Sequence, residues 1–509
     1  MNETPTEEAI GEAGEGAASP PPPHAAIPEE PLNRPLITFS IMAATTMQAL
    51  DSTIANVALP DMQGALSGTQ DQMAWVLTSY IIAAAIMIPL TGWLAGRYGR
   101  RRIFLLSVAG FTLASALCGV ATSLPEMVLF RLLQGISGAA LVPLSQAVLF
   151  DINPPEQHGR AMAMWGVGVT LGPVLGPILG GWLTDDYSWR WVFFINVPIG
   201  IVAFLGLTAS LPETERQSRA FDFAGFLSLA IAIGALQLML DRGSLKDWFA
   251  STEIVAEGLA AACAFYVFIV HSLTHRHPFL RPALFADRNF LTSNIFIFLI
   301  GVVLFATLAL IPPMLQNQMG YPAVTSGIVT APRGAGTMLA MMLVGRLVGR
   351  IDARIIVGTG LALTAFSLWQ MTGFDLMMGE SPLVVSGVIQ GFGIGLAYVP
   401  LSTLAFGTLP AEMRNEGTAF FNLQRNIGSA IGISVVQTLL TRNTQIIHAE
   451  FVARIPPFAG LPDLAALDAQ ITDRAAMIAY LDDFQLMMLG TLAVIPLLAL
   501  LNPPARKAA

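Results

Sequence analysis

Two cysteines, two lysines and little charge of either sign set the first limits on this chain of 509 residues. Cys118 and Cys263 are too few for a disulfide framework or a cysteine-rich zinc site. Both fall inside long apolar segments, where reduced thiols packed among helices are expected. Lysine occurs at 246 and 507 alone, so no Gly-x-x-x-x-Gly-Lys-[Ser/Thr] phosphate loop exists and ATP drive from this chain is excluded. Charged residues are 12% of the chain, against about 25% in soluble domains. No nucleophile–base constellation, metal-ligand spacing or soluble catalytic region can be found. The expectation is therefore not an enzyme, with no cofactor, no metal and no nucleic-acid partner.

What the chain does have is apolar length. It is 54% hydrophobic, with mean hydropathy +0.63. Fourteen segments are each long enough to cross about 30 Å of hydrocarbon as a helix. They fall at about 36–60, 73–95, 103–122, 126–150, 160–184, 191–211, 222–241, 253–273, 290–312, 323–346, 354–373, 382–407, 417–440 and 484–503. The fold class expected is an all-α membrane protein. Residues 1–35, with seven glutamates and one arginine, cannot bury enough to order themselves and read as a disordered acidic tail. That tail has the wrong charge for a cleaved leader.

An even number of spans puts both termini on one side. With the termini inside, 17 of the 26 basic residues fall in inner loops and tails and six in outer loops. Positive charge resists translocation, so both termini are expected in the cytoplasm. The remaining three, Arg131, Arg333 and Arg425, lie within spans. The longest connection, about 441–483, is then outside. Apolar periodicity at 446–455 and 464–482 predicts short amphipathic helices lying on the membrane surface, with a plain solvated loop as the alternative.

Short strings recur at nearly one offset. Gly92-Trp-Leu-Ala-Gly96-Arg97 is answered by Gly345-Arg-Leu-Val-Gly349-Arg350. Gln134-Gly135 with Val142-Pro143-Leu144-Ser145 is answered by Gln390-Gly391 with Val399-Pro400-Leu401-Ser402. Gly159 is answered by Gly417. Spans 2, 4 and 5 thus map onto 10, 12 and 13, a shift of eight. The domain plan is 36–211 as a six-helix bundle, 222–273 as two inserted helices, and 290–503 as a second six-helix bundle. Parallel repeats of this kind place a substrate site between the bundles near mid-membrane.

Longer strings carry a resemblance. Leu50-Asp51-Ser-Thr53-Ile54-Ala-Asn56-Val57-Ala58-Leu59-Pro60, the stretch from Trp75 to Ala95, Gly172-Pro173-Val-Leu-Gly176-Pro177-Ile-Leu-Gly180-Gly181, and Trp189-Arg190-Trp191-Val-Phe193-Phe194-Ile195-Asn196-Val197-Pro198-Ile-Gly200 are similar to motifs of one group. The chain resembles, from about 36 to 503, the fourteen-span drug/proton antiporters of the major facilitator superfamily, EmrB/QacA type. The resemblance implies a 6 + 2 + 6 arrangement, proton-coupled export of amphipathic small molecules across a bacterial inner membrane, and a periplasmic adaptor with an outer-membrane channel as partners.

Asp51 and Arg131 stand out physically. Asp51 is nine residues before Pro60, about 13 Å from the outer helix end, and Arg131 six after Pro125, about 9 Å from the same surface. Opposite charges at similar depth invite pairing, since an ionised side chain in hydrocarbon needs a partner or water. Either the pair merely knits spans 1 and 4, or Asp51 exchanges a proton as its access alternates.

The turn holding Gly92, Arg97, Gly99 and Arg100 is at least a positive-inside anchor. The resemblance makes it a cytoplasmic latch, although Gly96 stands where the superfamily usually has an aspartate. In span 5, Gly172, Gly176, Gly180 and Gly181 allow close helix approach, and Pro173 and Pro177 favour bending. Plain packing explains this as well as an antiporter motif does. Expected around a substrate cavity are Asn56, Gln134, Phe193, Phe194, Asn196, Arg333, Tyr398, Phe420, Phe421, Asn422 and Arg425. The readings competing with multidrug export are export of one metabolite such as a siderophore, peptide uptake, and a non-transporting sensor; for peptide uptake, the Glu-x-x-Glu-Arg-type signature in span 1 is missing.

Overall fold

The computed structural model describes residues 33–214, 216, 220–454 and 464–501. Most of the acidic tail, Pro456-Pro457 and the C-terminal residues after Leu501 lie outside that set. The helices in chain order are α1 (Arg34–Val57), α2 (Leu59–Leu66), α3 (Gln70–Tyr98), α4 (Arg100–Val120), α5 (Leu124–Gly138), α6 (Leu141–Ile152), α7 (His158–Asp186), α8 (Trp191–Phe194) and α9 (Asn196–Ser210). They continue with α10 (Phe223–Arg242), α11 (Thr252–Thr274), α12 (Arg288–Pro313), α13 (Ala323–Thr330), α14 (Pro332–Leu347), α15 (Ala353–Met371), α16 (Glu380–Gly407), α17 (Arg414–Ala453) and α18 (Leu464–Val494). The tail boundary needs a small correction, because α1 already begins at Arg34. Asn33 caps it, its side chain accepting from the Leu36 N–H at 3.2 Å.

Among the described residues, 11 helices are long and apolar enough to cross a membrane. Three further long helices, α1, α15 and α17, fall short on apolarity rather than length. For α1 and α17 the reason is visible: their polar residues point inward. Thr45 and Asp51 on α1, and Thr418 and Asn422 on α17, are buried. A helix lining a polar interior has less need of an apolar surface than one that faces lipid on most sides.

Packing follows the internal repeat. The end of α3 crosses the start of α17, where a Cβ on Gly92 would stand 3.0 Å from the Glu416 Cα. The matching end of α14 crosses the start of α7, where a Cβ on Gly345 would stand 3.0 Å from the Ala163 Cβ. Small residues at the repeated positions therefore serve reciprocal crossings, each half seating its motif glycine on the other. The pair α10 and α11 packs together, with α10 against α3 and α17. Much of α11 is exposed, including Phe265, Tyr266 and Leu273.

Two expectations are corrected here. Residues 446–453 and 464–482 are helical, but not as separate surface-lying pieces: α17 runs unbroken for 40 residues and α18 for 31. The C-terminal part of α17 and the N-terminal part of α18 are joined by His448 and Asp468, 3.0 Å apart. Charged residues there lower hydropathy, but i→i−4 backbone hydrogen bonds continue regardless of side-chain polarity. The second concerns the thiols. Cys118 is buried, whereas Cys263 is exposed on α11 instead of packed among helices.

Candidate functional site

Five helices converge on one carboxylate. Asp51 on α1 is fully buried, and its Oδ2 lies 2.7 Å from Arg131 Nη1 of α5. Its Oδ1 accepts from Gln134 Nε2 at 2.8 Å and from Asn196 Nδ2 of α9 at 2.9 Å. Ser115 of α4 braces both amides, its Oγ accepting at 2.6 Å from Gln134 and 3.3 Å from Asn196. Arg131 also donates to the Val76 carbonyl of α3 at 3.0 Å and to Gln134 Oε1 at 2.6 Å. Its guanidinium sits 4.4 Å from the Tyr80 ring centroid and 5.8 Å from that of Phe193. Charge-assisted bonds of this density offset much of the cost of burying such a pair away from solvent.

Two sequence motifs build that pocket. Gly172 and Gly180 of α7 lie against α1 around Asp51: a Cβ on Gly172 would come within 2.5 Å of the Ala49–Leu50 backbone, and one on Gly180 within 3.0 Å of Ile54. Gly176 faces Thr53 in the same stripe, while Gly181 meets nothing within 4 Å. The helix stays continuous through Pro173 and Pro177. In the other motif, Arg190 donates to the Gly119 and Ala121 carbonyls at 2.9 and 2.7 Å. That clamp fixes the start of α9 against the end of α4 and delivers Asn196 to Asp51.

A second polar cluster joins the two halves. Asn422 Nδ2 of α17 donates to Gln146 Oε1 of α6 at 2.6 Å, and Gln146 Nε2 donates to the Tyr398 hydroxyl of α16 at 3.2 Å. Trp165 of α7 stacks on Tyr398 with centroids 6.1 Å apart, and Phe421 packs edge-on against that ring at 6.4 Å. Arg425 is next to Tyr398 and only partly buried. Its Nε and the Asn422 Oδ1 have no hydrogen-bond partner.

A family model described as the Major Facilitator Superfamily matches residues 41–440. The chain belongs to the Major Facilitator Superfamily. It is 37% identical over 439 residues to the multidrug export protein EmrB of Escherichia coli K12, covering 86% of this chain and 85% of that one. It is 35% identical over 486 residues to the fatty acid resistance protein FarB of Neisseria gonorrhoeae, covering 92% and 96%. The superfamily's fold recurs in the proton:xylose symporter XylE, with TM-score 0.60 at 13% identity over 92% of this chain and 98% of that one. The human organic anion transporter MFSD10 gives 0.58 at 15%, over 91% and 100%.

At the end of the fold where α3 meets α4, Arg100 is buried and pairs with Asp151, the penultimate residue of α6. Its Nε donates to Asn415 Oδ1 at 3.0 Å, and Arg414 pairs with the other Asp151 oxygen at 2.7 Å. One carboxylate thus holds an arginine from each half. Gly96 leaves the turn without an acid of its own, and Asp151 supplies the acid from a neighbouring helix. Arg97 is exposed. Gly99, at φ +94°, makes the α3–α4 joint in a conformation that favours glycine.

The other expected cavity residues are scattered. Gln134, Asn196 and Phe193 surround the Asp51–Arg131 pair. Asn56 is exposed, Phe194 packs on Gly119, and Phe420 packs on Phe285 and Phe290. Arg333 is buried with Nη2 donating to the Leu304 carbonyl at 3.2 Å and Nε unpartnered. Sequence reasoning missed Ser115, Gln146, Trp165 and Asp151. Gln146 had one available signal: it directly follows the repeated Val-Pro-Leu-Ser.

Away from these clusters, α10 and α11 are tied together by Asp222, the N-cap of α10. Burial pushes its carboxyl up, but the Gly225 N–H, His271 and the Phe279 N–H outweigh that and hold it below the usual carboxylate range. The three contacts lie at 2.9, 2.9 and 2.8 Å, and His275 stacks on His271.

Proposed function

We propose that this protein is a proton-coupled multidrug exporter of a bacterial inner membrane, with fourteen spans in a 6 + 2 + 6 order and both termini cytoplasmic. Residues 36–211 and 290–503 form the two bundles, and 222–273 is the inserted pair. Amphipathic small molecules leave the cytoplasm or inner leaflet as protons enter. The observation that carries this reading is the buried Asp51 carboxylate, held by one arginine and two amides that can each let go. Loosening Arg131, Gln134 and Asn196 as the bundles rock would remove three stabilising contacts, so Asp51 would take a proton in one orientation and shed it in the other. Each inward proton supplies about 2.3 kcal/mol per 100 mV of membrane potential.

The interhalf cluster of Gln146, Trp165, Tyr398, Phe421 and Asn422 is the proposed substrate contact. Aromatic faces and a few amides suit varied apolar molecules better than a fixed pharmacophore. Support comes also from the relatives' names, which include multidrug export proteins over most of both chains. The Arg100–Asp151–Arg414 latch is the proposed inner gate. The outer portions of α17 and α18, within 441–483, are the proposed seat for a periplasmic adaptor leading to an outer-membrane channel.

The test is efflux of a dye panel from proteoliposomes under an imposed pH step. Wild-type protein moves several unrelated dyes, and Asp51→Asn moves none while still inserting. Full pH-driven efflux by Asp51→Asn overturns the coupling role, and transport of a single metabolite alone favours the narrower exporter.

A further inference from the structure

The second half repeats one polar pair of the first. Gln134 donates to Asp51 at 2.8 Å, and Gln390 of α16 donates to Thr307 Oγ1 of α12 at 3.1 Å. Gln390 follows Gln134 by 256 positions (390 − 134), and Thr307 follows Asp51 by the same 256 (307 − 51). The same glutamine thus lies over a hydroxyl where the first half has a carboxylate.

The acid of the second half stands on another helix. Thr307 Oγ1 is 4.0 Å from Met487 Sδ of α18. Asp483 lies one turn earlier on the same face of α18, about 6 Å along the axis. It is 1% exposed, and neither carboxylate oxygen has a hydrogen-bond partner. Its helix neighbours Tyr480, Phe484 and Met487 belong to an apolar cluster with Leu310, Leu368 and Phe374.

Among the described residues, no cation is placed to neutralise it. On its own helix the titratable neighbours are Tyr480 and the exposed Asp482. Of the packed elements, α12 and α15 carry charge only near their starts, at Arg288 and Arg354. The turn Met314–Gln318 and the tail Ile495–Leu500 carry none. On α17, the His448–Asp468 contact sets an antiparallel register that brings Ile433 opposite Asp483. Arg425 and Arg442 are then more than two turns away along that helix. A charged carboxylate in such a place is strongly disfavoured.

We propose that Asp483 is a second proton-binding site of the transport cycle, loaded while α18 packs as it does here and emptied when α18 moves and water reaches it. The O–H bond forms with a proton from the aqueous phase and breaks by returning it there; no other reactant takes part. This rests on the reading of proton-coupled export, but it assigns a group that the Asp51 mechanism does not use.

The test is infrared spectroscopy of the full-length protein in lipid vesicles at neutral pH, with ethidium efflux measured in the same preparations. A protonated-carboxyl stretch is expected that survives in Asp51→Asn and disappears in Asp483→Asn. Protons moved per ethidium are expected to drop about two-fold in Asp483→Asn. Asp483→Leu, which suits the apolar surroundings, gives the same spectroscopic answer if the asparagine variant folds poorly. An unchanged band in both Asp483 variants overturns the proposal, whatever Asp51→Asn does. If the band goes with Asp483 while Asp51→Asn still exports, the Asp51 role falls and this one stands.

Discussion

Asn422 of α17 donates to the Gln146 side chain of α6 at 2.6 Å, joining residues 276 positions apart at the meeting of the two halves. Both side chains are buried, and Asn422 retains an unpartnered carbonyl oxygen. A polar group left open at an interface that must part is suited to exchange its partner for a bound molecule. Gln146→Ala and Asn422→Ala should each raise KM for some dyes by about tenfold, the equivalent of about 1.4 kcal/mol, with others little changed. Dye-by-dye kinetics in vesicles checks this; a uniform loss across all dyes would assign the pair to structure instead.

Small residues of α7 should tolerate change in proportion to what they face. Gly172→Leu drives a side chain into the Ala49–Leu50 backbone and should cost about 3 kcal/mol or more. Gly181→Ala points into open space and should leave thermal stability in detergent unchanged. Equal melting temperatures for the two variants would contradict the packing described.

Removing the Asp151 charge should loosen the proposed inner gate. Asp151→Asn weakens both the Arg100 and Arg414 pairs, and a loss of about 1.4 kcal/mol shifts the closed population about tenfold. Spin-label distances between the start of α4 and the start of α17 should broaden toward longer values. Unchanged distances would mean that helix packing alone keeps the inner end shut.

The Asp222 knot gives a pH dependence with a definite sign. Its folded-state carboxyl lies below its ordinary value of 3.8, so its contribution is present above that value and is lost as pH falls through the lower folded one. The capping part is worth about 1 kcal/mol, judged by typical N-cap substitutions. Asp222→Ala should therefore lower stability at neutral pH and converge on wild type in strong acid. Thermal melts across an acid series are the measurement, and a gap that widens with acidity would refute the assignment.

The Asp51–Arg131 pairing was legible because depth along a helix can be counted from prolines that stand at helix ends. Which polar residue faces which neighbour could not be counted so. Asn56 and Asn196 look alike in sequence, yet one is exposed and the other holds Asp51. The difference comes from helix rotation, set by contacts such as Gly172 on Ala49 that join distant segments. Asp151 went unnoticed for the same reason: its value lies in two arginines, 51 and 263 positions away. The outer reach of α17 was missed because hydropathy measures fitness for lipid, not helicity.

That reach has a mechanical meaning. At 1.5 Å per residue, the 40 residues of α17 form a rod about 60 Å long. One end carries Arg414 and Asn415 beside Asp151, Asn422 follows about two turns further along, and the far end stands beside α18 at His448. A tilt of about 10° about its middle would swing either tip by about 5 Å. Release of grip at one mouth would thus be felt at the opposite extremity without any relay of intermediate rearrangements, and whatever rests on that extremity would sense the change as a displacement.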